Sequence, residues 1–344
     1  MQSAPIAILR LPGGRLTLFL RPVNALSNLL GRRNDEDCDA PGDVISRAAT
    51  GADVVPALRL ILGANGRAAD ESQAMDFIRF TTRRGVNLSD LWVLLARDHL
   101  VWATLPMISP GRTMLLFTAP VEFAGKHISA VESAIGEVCG HFALRDVQLA
   151  QILLDPGETP TISTYERCGF KRMAELVYLQ RTIKRAAVPT PLPAGFVMQS
   201  YSPGTHALFA KAILAGYENS LDCPPLNGLR SVEDIIAGHK SAGEFDAQDW
   251  QVLTYQGEPS AVLMLSRTLM GDGMELVYLG VSPRIRGHGV GSYLMRLAEA
   301  RVNQRKLSRL TLAVDSLNEP ALRLYYRHGM QRLTSKVAMM RVIT

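Results

Sequence analysis

Apolar positions along the 344-residue chain follow two periods, and the order in which the periods appear is used twice. Alternation of apolar and polar residues marks strands, and apolar recurrence at 3.6-residue spacing marks helices. In the first half, the pattern predicts a strand at Val54–Leu62, a helix at Asp70–Thr82 and strands at Leu91–Ala96, Leu100–Met107 and Arg112–Thr118. A helix at Ile128–Phe142 and a strand at Val147–Leu154 follow. The second half gives a strand at Phe196–Tyr201, a helix at Thr205–Tyr217 and strands at Trp250–Tyr255, Ala261–Leu269 and Met274–Val281. It ends on a helix at Gly291–Gln304, a strand at Arg309–Val314, a helix at Pro320–His328 and a strand at Ser335–Val342.

The halves overlay without a gap at an offset of 160 near their ends. Asp155, Pro160, Tyr165, Arg167 and Gly169 fall on Asp315, Pro320, Tyr325, Arg327 and Gly329. Arg172, Val177, Arg181 and Ile183 fall on Arg332, Val337, Arg341 and Ile343. A period this long means duplicated domains, not a solenoid. Three prolines within KRAAVPTPLPAG, residues 184–195, predict an extended connector. The expected layout is a flexible basic arm and linker over 1–52, a first domain over 53–187, a Pro-rich linker over 188–194 and a second domain over 195–344.

Charge narrows the function classes. The net charge is +5, and residues 1–34 hold five arginines and no acid, so the rest of the chain is neutral overall. A nucleic-acid binder needs a basic stripe on its folded surface, which this distribution does not provide. The basic arm reads as a flexible extension, an organelle transit peptide or an amphipathic segment. No apolar run reaches the roughly 18 residues of a membrane span, no secretory leader pattern is found, and a cytoplasmic location is expected. Cys38, Cys139, Cys168 and Cys223 show no CxxC spacing and the histidines no ligand spacing, so no metal is expected.

The chemistry concentrates in the second half. The strand that ends at Val281 runs into Ser-Pro-Arg-Ile-Arg286-Gly287-His288-Gly289-Val290-Gly291, which opens a helix. Glycines admit conformations and close approaches that side chains forbid. The N–H groups at the helix start converge there, with the helix dipole behind them, as a phosphate site requires. Arg286 can add charge, and His288 is a phosphate neighbour or a spacer. Further on, Asn318 lies in a turn, Pro320 opens a helix, and Ala321, Leu324 and Tyr325 share a face that ends at Gly329. Glu275 interrupts an apolar strand, where a carboxylate is out of place without a task; alternation puts it on one face with Val277 and Leu279.

The spacing Arg286-x-x-Gly289-x-Gly291 resembles the acyl-CoA pyrophosphate loop of the GNAT superfamily. The stretch Asn318-x-x-Ala321-x-x-x-Tyr325-x-x-x-Gly329 is similar to that family's second motif, with Met330 in place of Phe. The tandem layout is similar to that of the mycothiol synthase family. The resemblance implies two α/β (α+β) domains, each a mixed, mostly antiparallel twisted sheet flanked by helices. It implies acetyl-CoA as donor, the primary amine of a small acceptor (cationic, on the charge argument below), and direct attack without a covalent enzyme intermediate. Glu275 then becomes the general base, against the plainer reading of a strand-edge Glu paired with an Arg. Tyr325 becomes the acid beside the thioester sulfur, against a core aromatic. Leu279 and Val281 of the strand, the loop from Arg286 to Gly291 and Asn318 become the acetyl-CoA site. Freeing the lone pair of an amine of pKa about 10.4 at pH 7 costs roughly 4.6 kcal/mol, hence the need for a base.

At the corresponding places the first half has Leu115, Lys126, Ser129, Val131 and Glu158, and is expected to be a degenerate copy that braces the second. The acids of residues 218–249 and the stiff loop from Asp222 to Gly228 predict a cation-attracting acceptor side. Two alternatives share the fold: an acyl-CoA-binding sensor without chemistry, and an aminoacyl or long-chain acyl transferase.

Overall fold

The computed structural model describes residues 44–343 except 65, 84–86, 185–190, 227 and 269–272. Residues 1–43 of the arm and linker expected over 1–52 and the first residues of the Pro-rich linker lie outside the described residues, as do Leu269 and Asn227.

The chain runs β1 (Val44–Ala48), α1 (Val54–Ile61), α2 (Glu71–Arg83), β2 (Trp92–Ala96), β3 (His99–Ser109), β4 (Thr113–Thr118), α3 (Ile128–Ala143), β5 (Leu149–Leu154), α4 (Thr159–Arg167) and β6 (Lys171–Thr182). It continues β7 (Phe196–Ser200), α5 (His206–Tyr217), α6 (Val232–Ser241), β8 (Trp250–Tyr255), β9 (Glu258–Arg267), β10 (Gly273–Val281), α7 (Val290–Gln304), β11 (Arg309–Asp315), α8 (Glu319–Arg327) and β12 (Gln331–Val342). The offset of 160 seen in the sequence returns in the bounds of α4 and α8 and of β6 and β12.

Two expectations are corrected. Val54–Ile61 is a helix, not a strand. Its apolar run fits either period, but Ala57, Leu58 and Ile61 are buried at helical spacing, and Pro56 sits in the first turn, where its missing N–H is tolerated. Residues 44–48, expected within a linker, form a strand paired antiparallel with Trp92–Ala96. The Trp92 indole N–H donates to Ser46 Oγ at 2.8 Å. The Arg47–Asp53 ion pair at 2.7 Å then ties this strand to the turn entering α1, and the Arg47 guanidinium holds the Asp53 carboxyl well below the usual range.

Contacts divide the chain into two compact units. One holds Arg112–Arg172, Met339 onward and the described residues up to Ile108; the other holds Met173–Ala338 with Ser109–Gly111. Strand order in the first is β1-β2-β3-β4-β5. In the second it is β6-β11-β10-β9-β8-β7, with β12 outside β6. The division therefore does not follow the proline segment. Most of β6 belongs with the second unit because it pairs antiparallel with β11 along its C-terminal half, from Leu176↔Asp315 to Thr182↔Arg309. In both units the sheet is mixed and mostly antiparallel, with one parallel pair formed by β4–β5 and by β10–β11.

Two cores sandwich the second unit's sheet. On one face Leu263, Leu265, Met274, Leu276, Leu279, Leu310, Leu312, Val177 and Leu179 pack with Leu294 and Ala298 of α7 and Tyr325 of α8. On the other, Phe209 and Ile213 of α5 and Ile235 and Ile236 of α6 pack on Trp250, Val252, Val262, Met264, Val277 and Tyr278.

Candidate active site

The parallel ladder between β10 and β11 is short. It joins Gly273↔Arg309, Met274↔Leu310 and Glu275↔Thr311 and then stops, although β10 continues to Val281 and β11 to Asp315. The two strands therefore part immediately after Glu275. On the other edge of β10, pairing with β9 continues to Val281↔Ala261, with a bulge between Leu276 and Tyr278. A bulge adds one residue to its strand, so the faces exchange across it. This corrects one expectation: Glu275 does not share a face with Leu279. Leu279 packs in the α7 core with Met274 and Leu276, whereas Val277 and Tyr278 pack in the α5/α6 core. Glu275, opposite Ser266 and Thr311, lies on the α5/α6 face.

Glu275 is 5 % exposed, and its carboxylate has no hydrogen-bond or ion partner among the described residues. Burial alone pushes its pKa up from 4.5 to about 8. Desolvation penalises the charged form, and nothing offsets it. The expected alternative, a strand-edge Glu paired with an Arg, is not what this side chain does.

Beyond Val281 the chain makes a short turn at Pro283–Ile285 and reaches α7 through two residues in the left-handed region, Gly287 (φ 83°) and Gly289 (φ 78°). Only glycine holds such angles without strain. A Cβ on Gly289 would meet no atom within 4 Å, so this glycine serves backbone angle and outside access. Gly291 differs: a Cβ there would lie 3.1 Å from Leu324 Cδ2, so this position seats α7 against α8. No side chain caps α7, and its first turn carries no acid. His288 is exposed, with Nδ1 3.1 Å from the Arg286 carbonyl, and Val290 is buried in the α7 core. Behind the loop, His328 bridges Ser292 Oγ at 2.7 Å and Glu299 Oε1 at 3.1 Å, and Arg181 reaches Glu299 at 2.6 Å, clamping α7 to α8 and β6.

Two expected ligand groups are otherwise engaged. The Arg286 guanidinium donates to the carbonyls of Gly216, Glu218, Asn219 and Val281 at 2.7–3.1 Å. It closes the C-terminal end of α5, where a cation also suits the helix dipole. Asn318 Oδ1 accepts from the Ala321 N–H at 3.3 Å, capping α8, and its side chain bonds to Asp222.

Asp222 was expected only as one acid of a cation-attracting loop. Instead it forms a reciprocal clasp: Asp222 Oδ1 accepts from the Asp315 N–H and Asp315 Oδ2 from the Cys223 N–H, both at 3.0 Å. Both carboxylates are 1 % exposed. Burial lifts the Asp222 pKa to about 6 against these hydrogen bonds. Four other acids of the segment serve as caps and ion pairs: Glu233 with His206, Asp234 with Ser231, Asp246 and Asp249 with Arg305.

Tyr325 is fully buried, and burial, with the nearby Asp222 carboxylate, raises its pKa well above 10. Tyr278 adjoins it, donates to the Ile213 carbonyl at 3.4 Å and stacks with His239 at 5.5 Å. Tyr278 and His239 carried no signal in the sequence beyond their apolar surroundings.

Among the described residues, the first unit differs at the corresponding places. Its β4–β5 ladder covers four of the six residues of β4, and Ser129 and Val131, at the loop-glycine positions, lie inside α3, with Val131 fully buried.

The acetyltransferase (GNAT) family profile matches residues 221–330. Over these residues the chain is similar to the GNAT family. A mycothiol acetyltransferase of Actinosynnema mirum is 26 % identical over 172 residues, 50 % of this chain and 56 % of that protein. One of Acidothermus cellulolyticus is 27 % identical over 271 residues, 72 % and 77 % of the two chains. The chain thus spans a little over half the length of some of these relatives, including the Jonesia denitrificans protein, at 28 % identity and 56 %. Among solved structures, a GCN5-related N-acetyltransferase from Sphaerobacter thermophilus superposes with a TM-score of 0.59 at 17 % identity, over 89 % of this chain and 97 % of that one, a likeness of fold. No helix of the described residues is long and apolar enough to cross a membrane.

Proposed function

We propose that the second unit is an N-acetyltransferase that moves an acetyl group from acetyl-CoA to the primary amine of a small acceptor by direct attack. The observation that carries this reading is the parting of β10 and β11 immediately after a buried Glu275 that has no partner among the described residues. An opened edge on one side of the carboxylate leads to an uncapped, glycine-lined helix start. The relatives' acetyltransferase names support acetyl transfer.

In this reading the N–H groups at the start of α7, with Gly287, His288, Gly289, Val290 and Gly291 around them, hold the pyrophosphate. The Leu279–Val281 stretch of β10 holds the pantetheine arm. Arg286 and Asn318 shape the site rather than contact the donor through their full side chains. They fix the end of α5 and the start of α8. Acetyl-CoA supplies the activated thioester.

Glu275 takes a proton from the incoming ammonium. The free amine forms a C–N bond at the thioester carbonyl, the C–S bond breaks, the electron pair leaves on sulfur, and the second proton that nitrogen sheds as the amide forms goes to water. With its pKa near 8, Glu275 is matched to an ordinary thiol of about 8.5, so it can return the proton to the thiolate. Tyr325, its pKa held high, stays protonated and acts at the sulfur as a hydrogen-bond donor. In this reading the first unit, with its buried Val131 and longer ladder, does not bind acetyl-CoA. Thiol release from acetyl-CoA across a panel of amines tests the proposal: release that depends on an amine supports it, and binding without release would favour a sensor.

A further inference from the structure

Tyr278 stands on β10 between Glu275 and the end of the strand, fully buried, and takes no part in the proton and acetyl transfers proposed above. The bulge before it turns its side chain to the α5/α6 face, and alternation puts Gly280 on the same face two residues ahead. The ring leans along the strand over that glycine. A Cβ on Gly280 would lie 2.9 Å from Cε1 and Cζ of Tyr278 and 2.6 Å from its hydroxyl. His239 of α6 stacks on the ring at 5.5 Å, and Tyr217 of α5 meets it edge-on at 5.7 Å.

The hydroxyl enters the last turns of α5. A Cβ on Gly216 would meet it at 2.6 Å, and would meet the Gly280 Cα at 3.2 Å. Gly216 lies within α5 and has no positive φ, so its missing side chain serves packing at a cost in helix propensity. An isolated glycine in a strand likewise marks a close approach. Gly216 and Gly280 thus form a slot for the phenol oxygen. The hydrogen bond to the Ile213 carbonyl is long, at 3.4 Å, so the oxygen acts there chiefly by filling space. The slot adjoins both parts of the donor site. The Arg286 guanidinium donates to the Gly216 carbonyl at 3.1 Å, and Gly280 lies within the Leu279–Val281 stretch.

We infer that Tyr278 is a positioning residue: its hydroxyl, seated between Gly216 and Gly280, sets the spacing of α5 from β10 and so aligns the Leu279–Val281 stretch with the Arg286 loop. The inference rests on the acetyl-CoA site of the reading above and adds to it a residue that touches neither the donor nor the reacting atoms.

The slot makes a reciprocal test possible. Beyond the hydroxyl, the nearest atoms to a Gly216 Cβ are Gly280 backbone atoms at 3.2 and 3.7 Å, so no ring carbon of Tyr278 comes closer than 3.7 Å. Calorimetry with acetyl-CoA is expected to show Gly216→Ala binding about tenfold more weakly, with kcat at saturating acetyl-CoA within about twofold of the unaltered protein. Tyr278→Phe, which empties the slot, is expected to weaken binding about threefold. In the double variant the methyl takes the place of the lost oxygen, and the Kd is expected to return to within about twofold of the unaltered value. Gly280→Ala is the contrast, because ring carbons also crowd its Cβ and Tyr278→Phe leaves them in place.

A Kd unchanged by Gly216→Ala, or a loss that Tyr278→Phe does not recover, overturns the positioning role. So does an equal recovery of Gly280→Ala. Should Gly216→Ala alone fail to fold, Tyr278→Phe and the double variant carry the test: tighter binding by the double variant supports the role, and equal binding by the two overturns it. The expected Kd pattern without any amine-dependent thiol release from the unaltered protein overturns acetyl transfer and leaves the positioning role standing.

Discussion

Glu275→Gln should make the protein more stable, and increasingly so as the pH rises. In the folded chain the Glu275 carboxyl releases its proton near 8, against 4.5 when exposed. Between those values the unfolded state binds fewer protons than the native state, so the contribution of this residue to stability falls as pH increases. It is fully favourable below the unfolded value and has reached its floor above about 8. Each pH unit in the window is worth about 1.36 kcal/mol, so from about pH 5 to about pH 7.5 the wild-type protein loses roughly 3 kcal/mol relative to a neutral side chain. No partner offsets this, since burial is its sole cause. Glutamine keeps the shape and removes the titration, and any cost of burying its amide is independent of pH. The assay is thermal unfolding of both proteins across this range. At about 2 °C per kcal/mol or more, the variant's advantage in Tm should grow by roughly 6 °C from the acidic to the neutral end. A gap that stays constant with pH would show that Glu275 is not a desolvated, unpartnered carboxyl, and the proposed base would lose its physical ground.

Gly289→Val should abolish acetyl-CoA binding while costing only about 1–2 kcal/mol of backbone strain, because the added side chain meets no protein atom; calorimetry should find one site per chain before the change and none after it. Asp222→Ala should cost roughly 3 kcal/mol by leaving the Asp315 N–H and the Asn318 amide without their acceptor, and should open the 218–230 segment to protease, whereas Asp222→Asn should cost less. A Tm for Asp222→Ala equal to wild type would rule out the clasp. The rate of acetyl transfer should rise with pH to a plateau with an apparent pKa near 8, the value of Glu275, and the variant Glu275→Gln should lose that inflection.

The motifs that resemble GNAT were legible because they are local: glycine spacing, a proline at a helix start, a carboxylate in an apolar strand. Duplication was legible as well, since α4 and α8 share both sequence and bounds. Three features were not. A bulge leaves no trace in hydropathy, so Leu279 was assigned to the wrong face. Val54–Ile61 is too short for its apolar run to decide between helix and strand. The strand β6 stands in the first repeat of the sequence but pairs with β11, and a long-range strand pairing cannot be read from periodicity. The arginine of the loop illustrates a fourth case. Residue type and spacing marked Arg286 as important, but its partners are four backbone carbonyls rather than a feature of the sequence.

The most direct test of the account is turnover by Glu275→Gln. With saturating amine at neutral pH, thiol release from acetyl-CoA should fall by about 100-fold or more, in keeping with the loss of a general base. The KM for acetyl-CoA should change little, because Glu275 lies across the sheet from the pyrophosphate loop's supporting core. The deficit should narrow at high pH, where more of the amine is already unprotonated. A variant that turns over like the wild type at neutral pH would contradict the central claim that this buried carboxylate drives acetyl transfer.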